Sequence, residues 1–127
     1  MEHYLIDNNV ISSYFSGLFP EKTIDFIADV IDRVPNISVI TEIEALSWVS
    51  PDKNKEAVVK AFIDDANILQ LSPDVIAQCI NIRRSRKIKT PDAIIAATAI
   101  VHNLTLITSD TDFNHIHGLK VINPKDL

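Results

Sequence analysis

The stretch Thr90-Pro91-Asp92-Ala93-Ile94-Ile95-Ala96-Ala97-Thr98-Ala99, followed by Leu104-Thr105-Leu106-Ile107-Thr108-Ser109-Asp110, decides the fold class. Thr90 followed by proline and an acid is a helix start, because proline tolerates the first turn and a carboxylate complements the helix dipole there. The spacing predicts a helix to about His102. Residues 104–108 are short, apolar and bounded by polar residues, the pattern of a buried strand. The same kind of start occurs at Ser72-Pro73-Asp74, which opens a predicted helix over 73–87. Further strands are predicted at 3–7, 37–40, 68–71 and 119–122. Helices are predicted at 9–16, at 21–33 with Ile24, Ile27, Val30, Ile31 and Val34 on one face, from Thr41 to about Trp48, and at 52–66 with Ala57, Val58, Ala61 and Phe62 inward. Residues 111–116 form a short helical turn. Short apolar strands alternating with helices are the pattern of a parallel sheet covered on both faces.

The composition excludes several classes. A chain of 127 residues predicts one domain, residues 1–127, large enough for its own core. Apolar content of 46% with two glycines excludes disordered and collagenous chains, and leaves no room for a glycine-rich phosphate loop. The single cysteine, Cys79, excludes a disulfide scaffold and a thiolate cluster, and fits a reducing cytosol. Cys79 itself is expected to be a small core residue. The start Met1-Glu2-His3-Tyr4 lacks the basic region of a signal peptide, and no apolar run nears the roughly 20 residues of a membrane span. A cytoplasmic protein without a membrane partner is expected. The net charge of -5 argues against broad electrostatic binding of nucleic acid, though not against a local basic patch.

Ligands of open parallel sheets bind beyond the carboxyl ends of the strands, near the point where strand order reverses. Asp7 and Asn9 follow the first strand, and Thr41, Glu42 and Glu44 the second. Ser109, Asp110 and Asp112 follow the fourth, and Asp92 starts the helix leading to it. No lysine or arginine sits immediately beside a strand end. Carboxylates gathered on one edge repel and raise each other's pKa unless a cation is present. All-oxygen ligands suit Mg²⁺ or Mn²⁺, ions that serve phosphodiester hydrolysis by polarising the phosphoryl oxygen and activating water. Each acid also has an ordinary structural role open to it. Asp92 suits the helix dipole, Thr41 with Glu44 fits a capping box, and Asp110 and Asp112 fit a turn. Asp7 fits such a role least, because it ends an apolar strand where an unpaired carboxylate is costly. Glu44 is preferred to Glu42 because it stands one turn in from the strand end.

Four blocks carry a resemblance to a known family: Leu5-Ile6-Asp7-Asn8-Asn9-Val10, Ile40-Thr41-Glu42-Ile43-Glu44, Pro91-Asp92-Ala93-Ile94-Ile95-Ala96-Ala97-Thr98-Ala99, and Leu106-Ile107-Thr108-Ser109-Asp110-Thr111-Asp112-Phe113. In order and spacing they resemble the PIN domain, and specifically the small VapC-type toxin ribonucleases. The third and fourth blocks are the most specific, and the similarity runs to Ile122-Asn123-Pro124. The resemblance implies a PIN-like three-layer α/β/α fold with a central parallel sheet of about five short strands. It implies a Mg²⁺- or Mn²⁺-dependent endoribonuclease with an RNA substrate, held inactive by a cognate antitoxin protein, with a homodimer as the assembly. Asp7, Glu44, Asp92 and Asp110 match the catalytic and metal-binding acids, with Asp112 a second candidate for the last place. Asn9 and Thr108 match supporting polar positions. The stretch Ala45-Leu46-Ser47-Trp48 departs from the Leu-Arg-x-Gly-like continuation of many relatives, which bears on substrate preference rather than on the acids.

Arg83, Arg84, Arg86, Lys87 and Lys89 place five of the 12 basic residues just before Asp92. They could be a solvated helix end. Their position beside the acids favours RNA phosphate capture. Tyr14, Phe15 and Trp48 are candidates for the core or for an apolar partner surface, with Tyr14 and Phe15 unable to face the same way. Two other functions compete. A haloacid-dehalogenase-like phosphatase shares the late paired acids, but needs a second aspartate where Asn9 stands. A non-catalytic PIN-like binding module would have no reason to keep a repelling cluster of acids.

Overall fold

The computed structural model describes residues 2–127. The chain runs β1 (Tyr4–Ile6), α1 (Asn8–Phe15), α2 (Glu21–Asp32), β2 (Asn36–Ser38), α3 (Val39–Leu46), α4 (Lys53–Asp65), β3 (Asn67–Leu69), α5 (Pro73–Ser85), α6 (Thr90–Val101), β4 (Thr105–Ile107) and β5 (Val121–Ile122). Short 3₁₀ turns occupy Thr111–Phe113 and Pro124–Asp126. The sheet has the order β3-β2-β1-β4-β5 with every neighbouring pair parallel.

Strand alternation divides the core into two layers. Leu5 and Leu106 point to the face covered by α5 and α6, where Val75, Cys79, Ile95 and Ala96 are buried. Ile6 and Ile107 point to the opposite face, among Ile11, Ile27, Phe62 and Ile63 of α1, α2 and α4. Both faces are therefore apolar, which makes the strands read as continuous hydrophobic runs. Cys79 is buried in the first layer, as expected of a core residue. Among the described residues no helix is long and apolar enough to cross a membrane.

Two helix ends are closed by the same device. After α1, Gly17 takes a φ of 69°, its N–H donates to Tyr14 O, and Leu18 N–H donates to Ser13 O. After α6, Asn103 takes a φ of 54°, with Asn103 N–H on Ile100 O and Leu104 N–H on Ala99 O. Both are Schellman closures, which need a residue tolerant of left-handed backbone. The second reverses the chain straight from α6 into β4.

The expected elements are all present, with differences in detail. The strand expected at 37–40 ends at Ser38, because Ser38 caps α3. Its Oγ accepts from Thr41 N at 3.1 Å and its hydroxyl donates to Thr41 Oγ1 at 3.2 Å. Thr41 is thus a buried residue inside the helix, not the cap of a box with Glu44. Similarly, Thr90 lies inside α6, and Lys89 precedes it without a side-chain cap. Val34 is 71% exposed, because α2 ends at Asp32 and its periodicity stops there. In α4 the buried residues are Val59, Phe62 and Ile63, while Val58 is 49% exposed, so the inward face is rotated from the expected one.

The capping difference is directly testable. Ser38→Ala removes a buried N-cap and leaves the Thr41 N–H without its side-chain acceptor. It should destabilise the protein by about 1–2 kcal/mol in urea denaturation. A change under about 0.3 kcal/mol would contradict the cap.

Candidate metal centre

The sheet order reverses between β1 and β4, so the carboxyl ends of these two strands flank the switch point. Their register pairs Ile6 with Ile107, which sets Asp7 beside Thr108. Asp7 N–H donates to Ile107 O at 3.0 Å. The helices that run back along the sheet deliver the other acids to this edge, Asp92 in the first turn of α6 and Glu44 in the second turn of α3.

Asp7 is 5% exposed and fully engaged. Its carboxylate accepts from Asn8 N at 2.8 Å, from Thr108 Oγ1 at 2.8 Å and from Asn9 Nδ2 at 3.2 Å. Asn9 Nδ2 also donates to Thr108 Oγ1 at 3.1 Å, and Asn9 Oδ1 accepts from Ser109 N at 3.1 Å. Thr108 Oγ1 accepts a further bond from Asp110 N at 3.1 Å. The Thr108 hydroxyl thus donates once and accepts twice, its full capacity. Asn9 and Thr108 therefore hold Asp7 and the start of the loop after β4 in one network.

Asp92, Asp110 and Asp112 each offer an oxygen, and these oxygens lie within 4.8 Å of one another. Asp110 caps the turn at Thr111–Phe113, its Oδ1 accepting from Asp112 N at 2.9 Å. Both acids considered for the last position therefore belong to the cluster. Asp7 and Glu44 stand outside that triplet but are coupled to it. Burial raises the Asp7 pKa, opposed by the Thr108 and Asn8 hydrogen bonds and reinforced by Asp92 and Asp110. Partial burial raises Glu44, and Asp7 and Asp92 add to the shift. Partial burial raises Asp92, with Asp110 and Asp112 adding and Lys89 opposing. Two ionised carboxylates about 5 Å apart repel by about 3 kcal/mol at an effective dielectric of 20. Of the three, only Asp110 makes a capping bond with its side chain among the described residues, so capping alone does not account for the cluster.

The donor set fits a hard divalent cation. All the groups are carboxylate oxygens, and Mg²⁺ bonds of about 2.1 Å place opposing ligands about 4.2 Å apart. The observed spread of 4.8 Å needs only small side-chain adjustments.

The five basic residues do not act alike. Arg83, Arg84, Lys87 and Lys89 are exposed around the α5–α6 junction. Arg86 is half-buried and donates to backbone carbonyls of the loop after β4, a role its sequence context did not signal. On the opposite side, a groove of about 390 Å³ runs from Glu44 along Ile11, Phe15, Ala45, Trp48, Val58 and Val59. Phe15 and Trp48 line it as the apolar-surface expectation required. Tyr14 does not, because its ring packs edge-on against Phe15 at 5.2 Å and both are half-buried.

An α/β protein with an acid-lined switch point is the class these features define. A family model of the PIN domain matches residues 4–119, and the chain belongs to the PIN domain family. Among solved structures it is similar to a toxin–antitoxin complex from Klebsiella pneumoniae, at 31% identity over 95% of this chain and 97% of that one, with a TM-score of 0.76. It is also similar to FitAcB from Neisseria gonorrhoeae, at 26% identity over 98% and 99% of the two chains, with a TM-score of 0.72. DNA-bound VapBC from Salmonella typhimurium shares the fold at 23% identity and a TM-score of 0.77, over 98% and 99% of the chains. A comparison with curated protein sequences returns no match.

Partial burial of Asp92, reinforced by its acidic neighbours, sets a pH dependence. The folded pKa of Asp92 is raised, so between the unfolded value near 3.9 and that raised value the folded state holds more protons. Stability of the metal-free protein therefore falls as pH rises through this window. Asp92 makes no side-chain hydrogen bond among the described residues, so Asp92→Asn relieves repulsion without losing a partner. The variant should match or exceed wild-type stability at pH 7 in EDTA, and the advantage should shrink towards pH 4. Urea denaturation at the two pH values checks this. A variant less stable than wild type at pH 7 would show that the ionised Asp92 does not cost the metal-free fold stability.

Proposed function

We propose that this protein is a metal-dependent endoribonuclease, the toxin of a VapBC-type toxin–antitoxin pair. The observation that carries the proposal is the convergence of Asp92, Asp110 and Asp112 beside the buried, raised-pKa Asp7 at the switch point of a PIN fold. Asp92, Asp110 and Asp112 would hold Mg²⁺ or Mn²⁺, with Asp7 and Glu44 completing the acidic set. When bound, such an ion offsets phosphate charge and supplies Lewis acidity for phosphodiester hydrolysis. Asp7 contributes a carboxylate whose rotation Asn9 and Thr108 prevent, which fixes geometry before substrate arrives. Glu44, exposed and without a side-chain hydrogen bond among the described residues, is available to accept a proton at the rim.

Asp7→Asn and Asp92→Asn should each reduce RNA cleavage in Mg²⁺ or Mn²⁺ by at least about 100-fold while leaving the protein folded. The check is cleavage of a mixed RNA substrate together with circular dichroism. Either variant retaining full activity would remove its residue from the site.

RNA would run from the acids onto the α5–α6 junction. An acidic protein must offset phosphate repulsion locally, and Arg83, Arg84, Lys87 and Lys89 are exposed beside Asp92. Each lost phosphate contact lowers the salt slope of single-strand binding by about 0.7. Neutralising Arg83, Arg84 and Lys87 together should flatten that slope by about two, measured in Ca²⁺ to block turnover. Equal slopes would leave these residues as a solvated helix end.

The antitoxin reading is supported by the groove beside Glu44. Its apolar lining includes the exposed Trp48 and Val58, with Asn54 and Lys55 among its polar residues, which suits an amphipathic partner helix. Glu44 also lines it, so a basic side chain of a partner lying there would stand beside the acids. The similar Klebsiella pneumoniae structure is a toxin–antitoxin complex.

A further inference from the structure

Arg86 is directed inward. It is the first residue beyond α5, and its N–H closes that helix on Ile82 O at 3.1 Å. Its side chain crosses to the loop after β4, where Nη1 donates to Asn114 O at 3.2 Å and Nη2 to Asp112 O at 3.4 Å. Its Nε is buried without a hydrogen-bond partner. Among the described residues no carboxylate pairs with it. A planar guanidinium spanning two carbonyls two residues apart fixes backbone more than it balances charge.

Those carbonyls belong to the middle of the turn at Thr111–Phe113 and to Asn114, the residue just after it, while Asp110 stands at its start. The turn is anchored inside by Phe113, 1% exposed, and at its entrance by Asp110 N on Thr108 Oγ1. Arg86 supplies the anchor at its exit. The backbone of Arg86 also begins the connection that delivers Asp92 to the first turn of α6. One residue therefore ties together the two segments whose acids converge.

We infer that Arg86 is a positioning residue: its guanidinium holds the turn after β4 so that Asp110 and Asp112 meet Asp92. The inference rests on the metal-centre proposal above and deepens it. It also separates Arg86 from its exposed basic neighbours. A phosphate contact is largely a matter of charge, which lysine preserves. The two-carbonyl fork is a matter of shape, which lysine loses.

The test compares wild type with Arg86→Lys, Arg86→Ala and, as comparator, Arg84→Ala, because Arg83 Nε donates to Ile88 O at 3.3 Å and so holds the same connection. Mn²⁺ affinity is measured by calorimetry without RNA, and amide hydrogen exchange over residues 110–116 is measured in EDTA. Both Arg86 variants should bind Mn²⁺ at least about tenfold more weakly, the usual consequence of removing a group that orients ligands. Exchange over 110–116 should rise about tenfold, and lysine should restore little of either. Arg84→Ala should match wild type in both. Arg86→Lys equal to wild type in Mn²⁺ affinity or in exchange overturns the inference, as does an Arg84→Ala loss of the same size. Should Arg86→Ala fail to fold, Arg86→Lys carries the comparison. Wild type that binds no Mn²⁺ would instead sink the metal centre, and exchange in the metal-free protein would then decide the role of Arg86 alone.

Discussion

The hydrogen bonds converging on the Asp7 carboxylate are the constraint on which the rest of the site depends. One carboxylate caps α1 through Asn8 N, receives the Thr108 hydroxyl from the neighbouring strand and receives Asn9 Nδ2 from its own helix. Asp7 and Thr108 are 101 positions apart in the chain, so the network joins the first strand to the fourth. Thr108 and Asn9 pass the constraint on to the backbone of Asp110 and Ser109. The loop after β4 thus takes its direction from the end of β1.

This arrangement balances opposing effects on a single group. Desolvation and the neighbouring acids favour a protonated Asp7, while the donors around it favour the carboxylate. Burial is the larger influence, so the carboxylate is held ready at some cost to the metal-free fold. The same tension extends through Asp92 and Glu44. Strain of this kind is common where a protein orients ligands ahead of the ion that relieves it. The exposed basic side chains lie at the α5–α6 junction, and the groove lies on the other face of the sheet, between α1, α3 and α4.

Much of this was legible because particular residues carry strong local rules. The Thr90-Pro91-Asp92 start, the apolar runs at 104–108 and 3–7, and the polar residues ending each strand led directly to a parallel sheet with acids at one edge. Helix geometry favoured Glu44 over Glu42, and Asp7 and Asp92 add to the burial that raises the Glu44 pKa. The misplacements have physical causes. Val39 and Ile40 look like strand, yet the Ser38 hydroxyl captures Thr41 N and starts the helix early. Ala57, Val58 and Ala61 satisfy helical periodicity as well as Val59, Phe62 and Ile63 do. Only packing against α1 and α3 chooses between the two faces.

Local sequence by itself determined the alternation of elements, the apolar strands and the identity of the acids, because propensity, capping chemistry and hydrophobic period act over a few residues. Tertiary structure decided which of those acids meet. Asp92, Asp110 and Asp112 converge only because β4 lies beside β1 and α6 runs back to the same edge. Tertiary structure also separated Arg86 from Arg83, Arg84, Lys87 and Lys89. In the sequence these are one basic run. In the fold the Arg86 guanidinium turns inward, to two carbonyls of a turn distant in the chain.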